Sequence, residues 1–426
     1  MNTEETNTCI ACGKTNLKKI LDLGHQAPAN NLLDDRKDKN FNLYPLGLNA
    51  CLDCSHGQLT YFVDPKELFS HYTYVSSTSQ TMKDHMQKLA GFVLNLSGPE
   101  SSVLEIGSND GLFLKCLQEA GVTNFCGVDP AENIASKAKE EGLQTIVGYW
   151  PEVGDEFSSF SFNIVIGQNV FAHTPNPLGA LKEVKRVLAH NGFAIFQTSQ
   201  ADMIANGEFD TIYHEHCSFF CEASMASLAE RAGLQLVHTQ YVDIHGGSSL
   251  YILAHDYADP DVYSIELSAI ASGLVNLQAN DDKTARIRKY RSSEDWEQFQ
   301  SQSTDKSIGA LEVSERWLAE GHRVVAVGAA AKAITFLRAS RLPIDAMLDQ
   351  SSLKVGKWIP GLDVQIQDFT NIQKNDAYII GAWNFAKEIA MKLIQAGADT
   401  ASPCMLYFPE GVTTTLGYLA VNGLDD

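Results

Sequence analysis

The stretch SSVLEIGSNDGLFLKCLQEAG, residues 101–121, restricts the possible folds more than any other part of the chain. Val103 to Ile106 is a short apolar run of strand length, Gly107 and Gly111 bound a turn, and an amphipathic helical pattern follows and stops at Gly121. NFCGVDP then reads as a second strand that ends on an acid, Asp129. The grammar continues with FNIVIGQNVFAH as a buried strand and its loop, LGALKEVKRVL as a helix and NGFAIFQTS as another strand. Strands alternating with helices predict a parallel, doubly wound sheet, whose ligands sit at the carboxyl ends of the strands. HRVVAVGAAAKAITFLRAS restarts the same pattern, and DAMLDQS, DAYIIGAWN and CMLYFPEGV supply further strands for a second Rossmann-like unit.

Two CxxC pairs, Cys9 with Cys12 and Cys51 with Cys54, precede the first of these units. Four thiolates in two knuckles suit a tetrahedral zinc ion, and a site filled by four protein ligands is structural. His25 and His56 are candidate substitutes, though both fit ordinary loop positions better. The spacer contains GHQAPANN and YPLGLN, which read as turns in a compact loop between the knuckles. Asp64 and Pro65 open a short helix, and YTYVSSTS, carrying Tyr72 and Tyr74, follows as an extended polar segment able to face a ligand.

The formal charge, 32 basic against 52 acidic residues for a net −20, argues against nucleic acid and anionic membranes as partners, because both need excess lysine and arginine. No apolar run approaches membrane-spanning length and the first residues lack a signal-peptide pattern, so a soluble cytoplasmic protein is expected. From Asp256 to Lys306 the chain turns polar and helical, which reads as a solvated connector; its basic cluster RIRKYR is too short to argue for nucleic acid.

GSNDG departs from the dinucleotide fingerprint GxGxxG, although a dehydrogenase domain is a competing reading of the turn. With Glu105 just before it and Asp110 inside it, the stretch resembles the first motif of class I S-adenosylmethionine (SAM)-dependent methyltransferases. Acids suit a ligand that carries an ammonium and a sulfonium, and suit a pyrophosphate poorly. The resemblance implies that Glu105, Gly107, Asn109, Gly111 and Asp129 hold SAM.

In order along the chain, CIAC…CLDC, YTYVSSTS, LEIGSNDG, NVFAHTPNP, FDTIYHEH, HGGSS, VGAAAKAITFL and WNFAKEI resemble the sugar C-methyltransferase family. The resemblance covers nearly the whole chain and implies an α/β protein of three parts. These are a small four-cysteine zinc domain (1–72), a Rossmann-like SAM domain with helical connector (73–305) and a second Rossmann-like domain (306–426) that helps bind the substrate's nucleotide. It also implies the cofactors, SAM and structural zinc, and the substrate, a nucleotide-linked keto-sugar methylated on carbon. Two positions depart from the family pattern: Gln197 stands where glutamate is common, and Gln168 where a basic residue is common.

Methylating a carbon beside a ketone requires that carbon to lose a proton. Histidine suits the base role because its ordinary pKa of about 6.5 leaves it mostly neutral near pH 7. The resemblance assigns the base to His216, with Tyr213 and Glu215 as pocket residues; Asn169 and His173 follow the third strand at the carboxyl edge of the sheet, a place from which they can donate hydrogen bonds to the keto oxygen. In a regular strand Tyr213 and Glu215 would face away from His216, so a turn is expected over YHEH. His214 reads as structural. His245 is equally a packing or a pocket residue. In the C-terminal domain Lys332 and Lys357 are candidates for phosphate, and Trp358 or Trp383 for covering a base. Two other readings remain open, an O- or N-methyltransferase on the same scaffold and a non-catalytic scaffold that binds nucleotide or a protein.

Overall fold

The computed structural model describes residues 6–38, 41–69, 80–157, 161–199, 203–256, 291–409 and 411–423. Near the amino terminus, strands β1 (Leu17–Gln26), β2 (Tyr44–Cys51) and β3 (Gly57–Leu59) carry the cysteine knuckles at their ends. YPLGLN is therefore strand, where the residues predicted turn. The physical reason is burial: Leu46 and Leu48 point into the core, Pro45 lies at the far end of the ladder opposite His25, and Gly47 sits where a side chain would strike the Leu21 carbonyl at 2.7 Å.

The central domain contains β4 (Ser102–Ile106), β5 (Asn124–Asp129), β6 (Thr145–Val147), β7 (Phe162–Gln168), β8 (Leu188–Ser199), β9 (Ser218–Phe219), β10 (Leu234–Val242) and β11 (Ser248–His255). Its seven-stranded sheet runs in the order β10-β11-β8-β7-β4-β5-β6. The strands from β4 to β8 are parallel, as expected, but β11 is antiparallel to β8 and β10 to β11, so the sheet is mixed. The β4–β7 boundary is the switch point at which the chain leaves one side of the sheet for the other.

Strand β9 is not part of that sheet. It follows the YHEH segment directly and joins the zinc module, giving a four-stranded order β1-β2-β3-β9, with Gly57 opposite Phe219 and Gln58 opposite Ser218.

The C-terminal domain has β12 (Arg323–Val327), β13 (Ala346–Leu348), β14 (Trp358–Ile359), β15 (Val364–Gln367), β16 (Asp376–Ile380), β17 (Pro403–Leu406) and β18 (Val412–Thr415). They form a sheet in the order β14-β15-β13-β12-β16-β17-β18, parallel except at its two edges. The helix Ser293–Ala319 that leads into this domain is capped by Ser292 and Asp295 in a reciprocal pair. It is not the solvated connector that its composition predicts. Trp296 and Phe299 are fully buried, and Trp296 fills the space left by Gly57 of β3. The expected boundary at residue 306 falls inside this helix. RIRKYR lies outside the described residues except Arg291, which is buried and donates to the Phe219 and Phe220 carbonyls.

One apolar cluster runs from Leu48 and Leu59 of the zinc module through Phe209, Ile212, Phe219 and Trp296 into the C-terminal sheet. The segment 209–219 is thus packed between three bodies, and its conformation depends on all of them. No helix among the described residues is long and apolar enough to cross a membrane.

Candidate active site

The turn after β4 is tied to the end of β5. The N–H groups of Gly107 and Ser108 donate to the Val128 carbonyl at 2.7 and 3.0 Å. Gly107, Asn109 and Gly111 all have positive φ, and a side chain on Gly111 would stand 2.6 Å from Leu143. Asp129, expected to face a ribose, also holds this turn: its carboxylate accepts the N–H of Asn109 at 2.8 Å and that of Ala131 at 2.9 Å. Each oxygen keeps a further lone pair for a ligand.

Glu105 is buried under the turn. Burial first, then the neighbouring Asp129 and Asp110, raise its carboxyl well above the ordinary range. Its Oε2 has no hydrogen-bond partner among the described residues, and Oε1 meets only a long 3.4 Å contact from Gln168. A buried Glu105 with so little compensation, beside Asp129 and Asp110, fits a cationic ligand, so the residues present suit SAM.

The YHEH segment is a turn, as the alternation argument requires. The N–H of His216 donates to the Tyr213 carbonyl at 2.9 Å, which brings both rings to one side. Nδ1 of His216 lies 2.8 Å from the Thr211 carbonyl, which can only accept, so Nδ1 carries the proton. Nε2 then faces the Tyr213 hydroxyl at 2.8 Å. Burial, then the nearby His173, lower the His216 pKa well below its ordinary value. The imidazole is neutral at pH 7 and able to accept a proton.

His173 packs edge-on against His216 with ring centroids 4.9 Å apart, and burial pushes its pKa down to about 4. Asn169 has positive φ, and its side-chain oxygen accepts the Ser199 N–H at 3.0 Å, so it ties the ends of β7 and β8 together. Glu215 turns toward the zinc module, where Asn30 Nδ2 donates to it at 2.7 Å. His214 packs edge-on against Tyr44, with its pKa pushed down to about 4 by burial.

Gln197 at the end of β8 pairs with a residue that sequence reasoning missed, His85, at 2.7 Å. A polar residue among Met82, Met86 and Leu89 on the buried face of the helix Gln80–Ser97 was the available signal. His245 has positive φ in the HGGSS turn, and Gly246 beside it packs on Trp383. Burial pushes the His245 pKa down to about 4, and the positive charge of Lys332 acts in the same direction.

Lys332 faces the loop that leads into YHEH. Its ammonium lies 3.5 Å from buried Glu208 and over the Trp383 ring at 5.3 Å, while Trp383 Nε1 donates to Asp210 at 3.2 Å. Asn30, Asp210 and Glu208 were also missed, since nothing local to any of them marks its tertiary partner. Lys357 is paired with Asp34 at 2.6 Å, away from this cluster, and Trp358 is covered by Arg36 at 5.4 Å. Tyr72 and Tyr74 lie outside the described residues.

The Sγ atoms of Cys9, Cys12, Cys51 and Cys54 all lie within 4.8 Å of one another, with Cys9–Cys54 and Cys12–Cys51 each at 3.6 Å. That spacing fits a tetrahedral zinc–thiolate site. Neither histidine joins it: His25 is exposed, and His56 is buried against Phe220 at 4.8 Å.

Family models match three successive stretches of the chain, and the C-terminal one begins at residue 243, well before the expected boundary at 306. Residues 9–69 match a family described as "Putative zinc binding domain", residues 77–239 a "Methyltransferase domain" and residues 243–403 a "C-methyltransferase C-terminal domain". The C-methyltransferase NovU of Streptomyces niveus is 32% identical over 394 residues, covering 89% of this chain and 90% of that protein. Among solved structures, the magnesium protoporphyrin IX methyltransferase ChlM of Synechocystis, with bound SAM, is 14% identical with a TM-score of 0.31, covering 41% of this chain and 79% of that one. The CcbJ methyltransferase of Streptomyces caelestis is 14% identical with a TM-score of 0.32, covering 40% and 89%.

Proposed function

Because the chain belongs to the C-methyltransferase family, and is therefore a SAM-dependent enzyme with a zinc-binding module, we propose that its acceptor is a nucleotide-linked deoxy keto-sugar in the cytoplasm. The carbon methylated is the one beside the ketone. The observation that carries this reading is the His216–Tyr213 pair, a neutral imidazole with Nδ1–H fixed on a carbonyl and Nε2 turned to a phenol. A carbon acid must lose its proton before it can take a methyl group, and this pair supplies the proton acceptor.

When bound, SAM supplies an electrophilic methyl group at the acid-lined turn 107–111. His216 Nε2 receives the proton from the acceptor carbon, either directly once the phenol moves aside or through the Tyr213 hydroxyl. Thr211 holds the imidazolium proton on Nδ1 throughout. The enolate oxygen forms on the side of His216 where the positive charge of the Lys332 ammonium acts. Glu215 accepts a hydrogen bond from the sugar. The four thiolates hold zinc as a closed structural site with no position for substrate. The C-terminal domain takes the nucleotide. Its turn 328–332 is built like the cofactor turn: Asp349 accepts the N–H of Ala329 and of Ser351, each at 2.7 Å, as Asp129 does for Asn109 and Ala131.

The test is product analysis. Protein, SAM with a carbon-13 methyl and a panel of nucleotide 3-keto and 4-keto deoxy-sugars are incubated, and the product is examined by NMR. A labelled methyl bonded to the carbon beside the ketone is the expected result. A methyl on oxygen or nitrogen would overturn the proposal.

A further inference from the structure

The segment 27–38 leaves the zinc module after β1 and crosses onto the C-terminal domain. Arg338 Nη1 donates to the Ala27 carbonyl at 2.7 Å, and its other terminal nitrogen donates to the Pro360 carbonyl. Burial pushes the pKa of this guanidinium down to about 10, so these carbonyl bonds are made where water is scarce. Further along, Leu33 and Trp358 exchange two backbone hydrogen bonds, at 2.9 and 2.7 Å, as a one-residue sheet between domains. Asp34 pairs with Lys357 at 2.6 Å, and Arg36 makes a two-pronged bond to Asp363 at 2.8 and 2.6 Å. The exposed pairs contribute little singly. The buried Arg338 and the backbone exchange fix the path of the segment.

Between those anchors the segment sends one side chain the other way. Asn30 Nδ2 donates to Glu215 Oε1 at 2.7 Å, across 185 residues of sequence. Glu215 is 2% exposed and sits one residue before His216. The groups that act on it come from every body around it: Asn30 from the zinc module, the Lys354 charge from the C-terminal domain, and, in the central domain, a His173 ring bonded to the Glu215 backbone and the buried Cys217 thiol.

We propose that Asn30 is a positioning residue of the methyl-transfer site, delivered from the zinc module across the C-terminal domain to aim and ionise the Glu215 carboxyl. This rests on the reading of Glu215 as a site residue given above. A bond from an amide N–H to a carboxylate stabilises the charged form and fixes the rotamer. Burial pushes Glu215 up to about 7, and the Asn30 bond is the larger of two influences in the opposite direction, ahead of the Lys354 charge.

The experiment compares the full-length protein with Asn30→Ala, Asn30→Asp, Glu215→Gln and the double variant Asn30→Ala/Glu215→Gln. Carbon-13 NMR of protein labelled at the glutamate carboxyl follows the titration, with the Glu215 signal identified by its loss in Glu215→Gln. Loss of one charge-assisted hydrogen bond moves the midpoint up by about one pH unit in Asn30→Ala. Asn30→Asp, nearly the same size, moves it further because it adds like charge. The limb of the methyl-transfer pH profile set by Glu215 shifts in step, and Asn30→Ala adds nothing once Glu215 is glutamine. An unmoved midpoint in either folded variant overturns the proposal, as does an equal loss of activity from Asn30→Ala with and without Glu215. If no keto-sugar is methylated by the unaltered protein, the substrate reading fails while the NMR midpoint still decides the role of Asn30.

Discussion

Gly127→Ala tests the proposed SAM turn from a buried position in the strand beside it. Gly127 lies in β5 opposite Glu105 of β4. An added Cβ would stand 2.4 Å from Ser108 Oγ, 2.6 Å from Ser108 Cβ and 2.9 Å from Leu114 Cδ1. Turning the hydroxyl away does not relieve the second contact. Ser108 is held by its N–H on the Val128 carbonyl at 3.0 Å and by its own carbonyl, which accepts the Gly111 N–H at 2.9 Å, so the whole turn must move. Overpacking of this kind costs about 1–3 kcal/mol. If the movement is expressed in the turn, SAM binds about 5- to 150-fold more weakly. Isothermal titration with SAM and with S-adenosylhomocysteine measures it, and thermal melting reports the folded fraction. Gly309→Ala, on a helix with open space at the Cβ position, is the control and keeps full affinity. Lowered melting with unchanged SAM affinity in Gly127→Ala would refute the placement of the cofactor on this turn, and unchanged melting would refute the overpacking.

Two further outcomes follow from the same geometry. Tyr213→Phe removes the 2.8 Å partner of His216 Nε2 and lowers the methyl-transfer rate by about 10²- to 10⁴-fold, the usual range for loss of acid–base assistance, with SAM affinity unchanged. Stripping zinc with a chelator, or Cys12→Ser, loosens β1–β3 and with them the pairing of Gly57 and Gln58 with Phe219 and Ser218, just past His216. Proteolysis near residues 210–220 increases and methyl transfer falls, and both recover when zinc is restored to the unaltered protein.

The glycine turn after β4 and the cysteine cluster were legible as structures because each is local. Gly107, Gly111 and Asp129 obey a strand–turn–helix grammar in one stretch of chain, and CxxC fixes two ligands by spacing alone. The turn at YHEH was partly legible: alternation excluded a strand that would put Tyr213 and His216 on one side. It did not supply the Thr211 carbonyl that sets the tautomer. Lys332 is a phosphate candidate by its place after a small-residue turn; its contacts with Glu208 and Trp383, both distant in sequence, turn it to the loop before YHEH and are not written in that turn. YPLGLN read as a turn because proline and glycine usually break strands, and only the burial of Leu46 and Leu48 overrides that preference. The polar helix Ser293–Ala319 hides two buried aromatics in a hydrophilic composition. Asn30 carries no local signal and His85 only its place on an apolar helix face, since what each does depends on a partner more than a hundred residues away.

The proposed mechanism has His216 remove a proton from carbon before any methyl is transferred. It is tested by incubating the protein in deuterium oxide with the keto-sugar that it methylates, with S-adenosylhomocysteine in place of SAM, and following the acceptor carbon by NMR. The account predicts deuterium entering at the carbon beside the ketone with the unaltered protein and none above background with His216→Asn. Exchange that proceeds equally well in His216→Asn, or no exchange at a carbon that the protein does methylate, would contradict it.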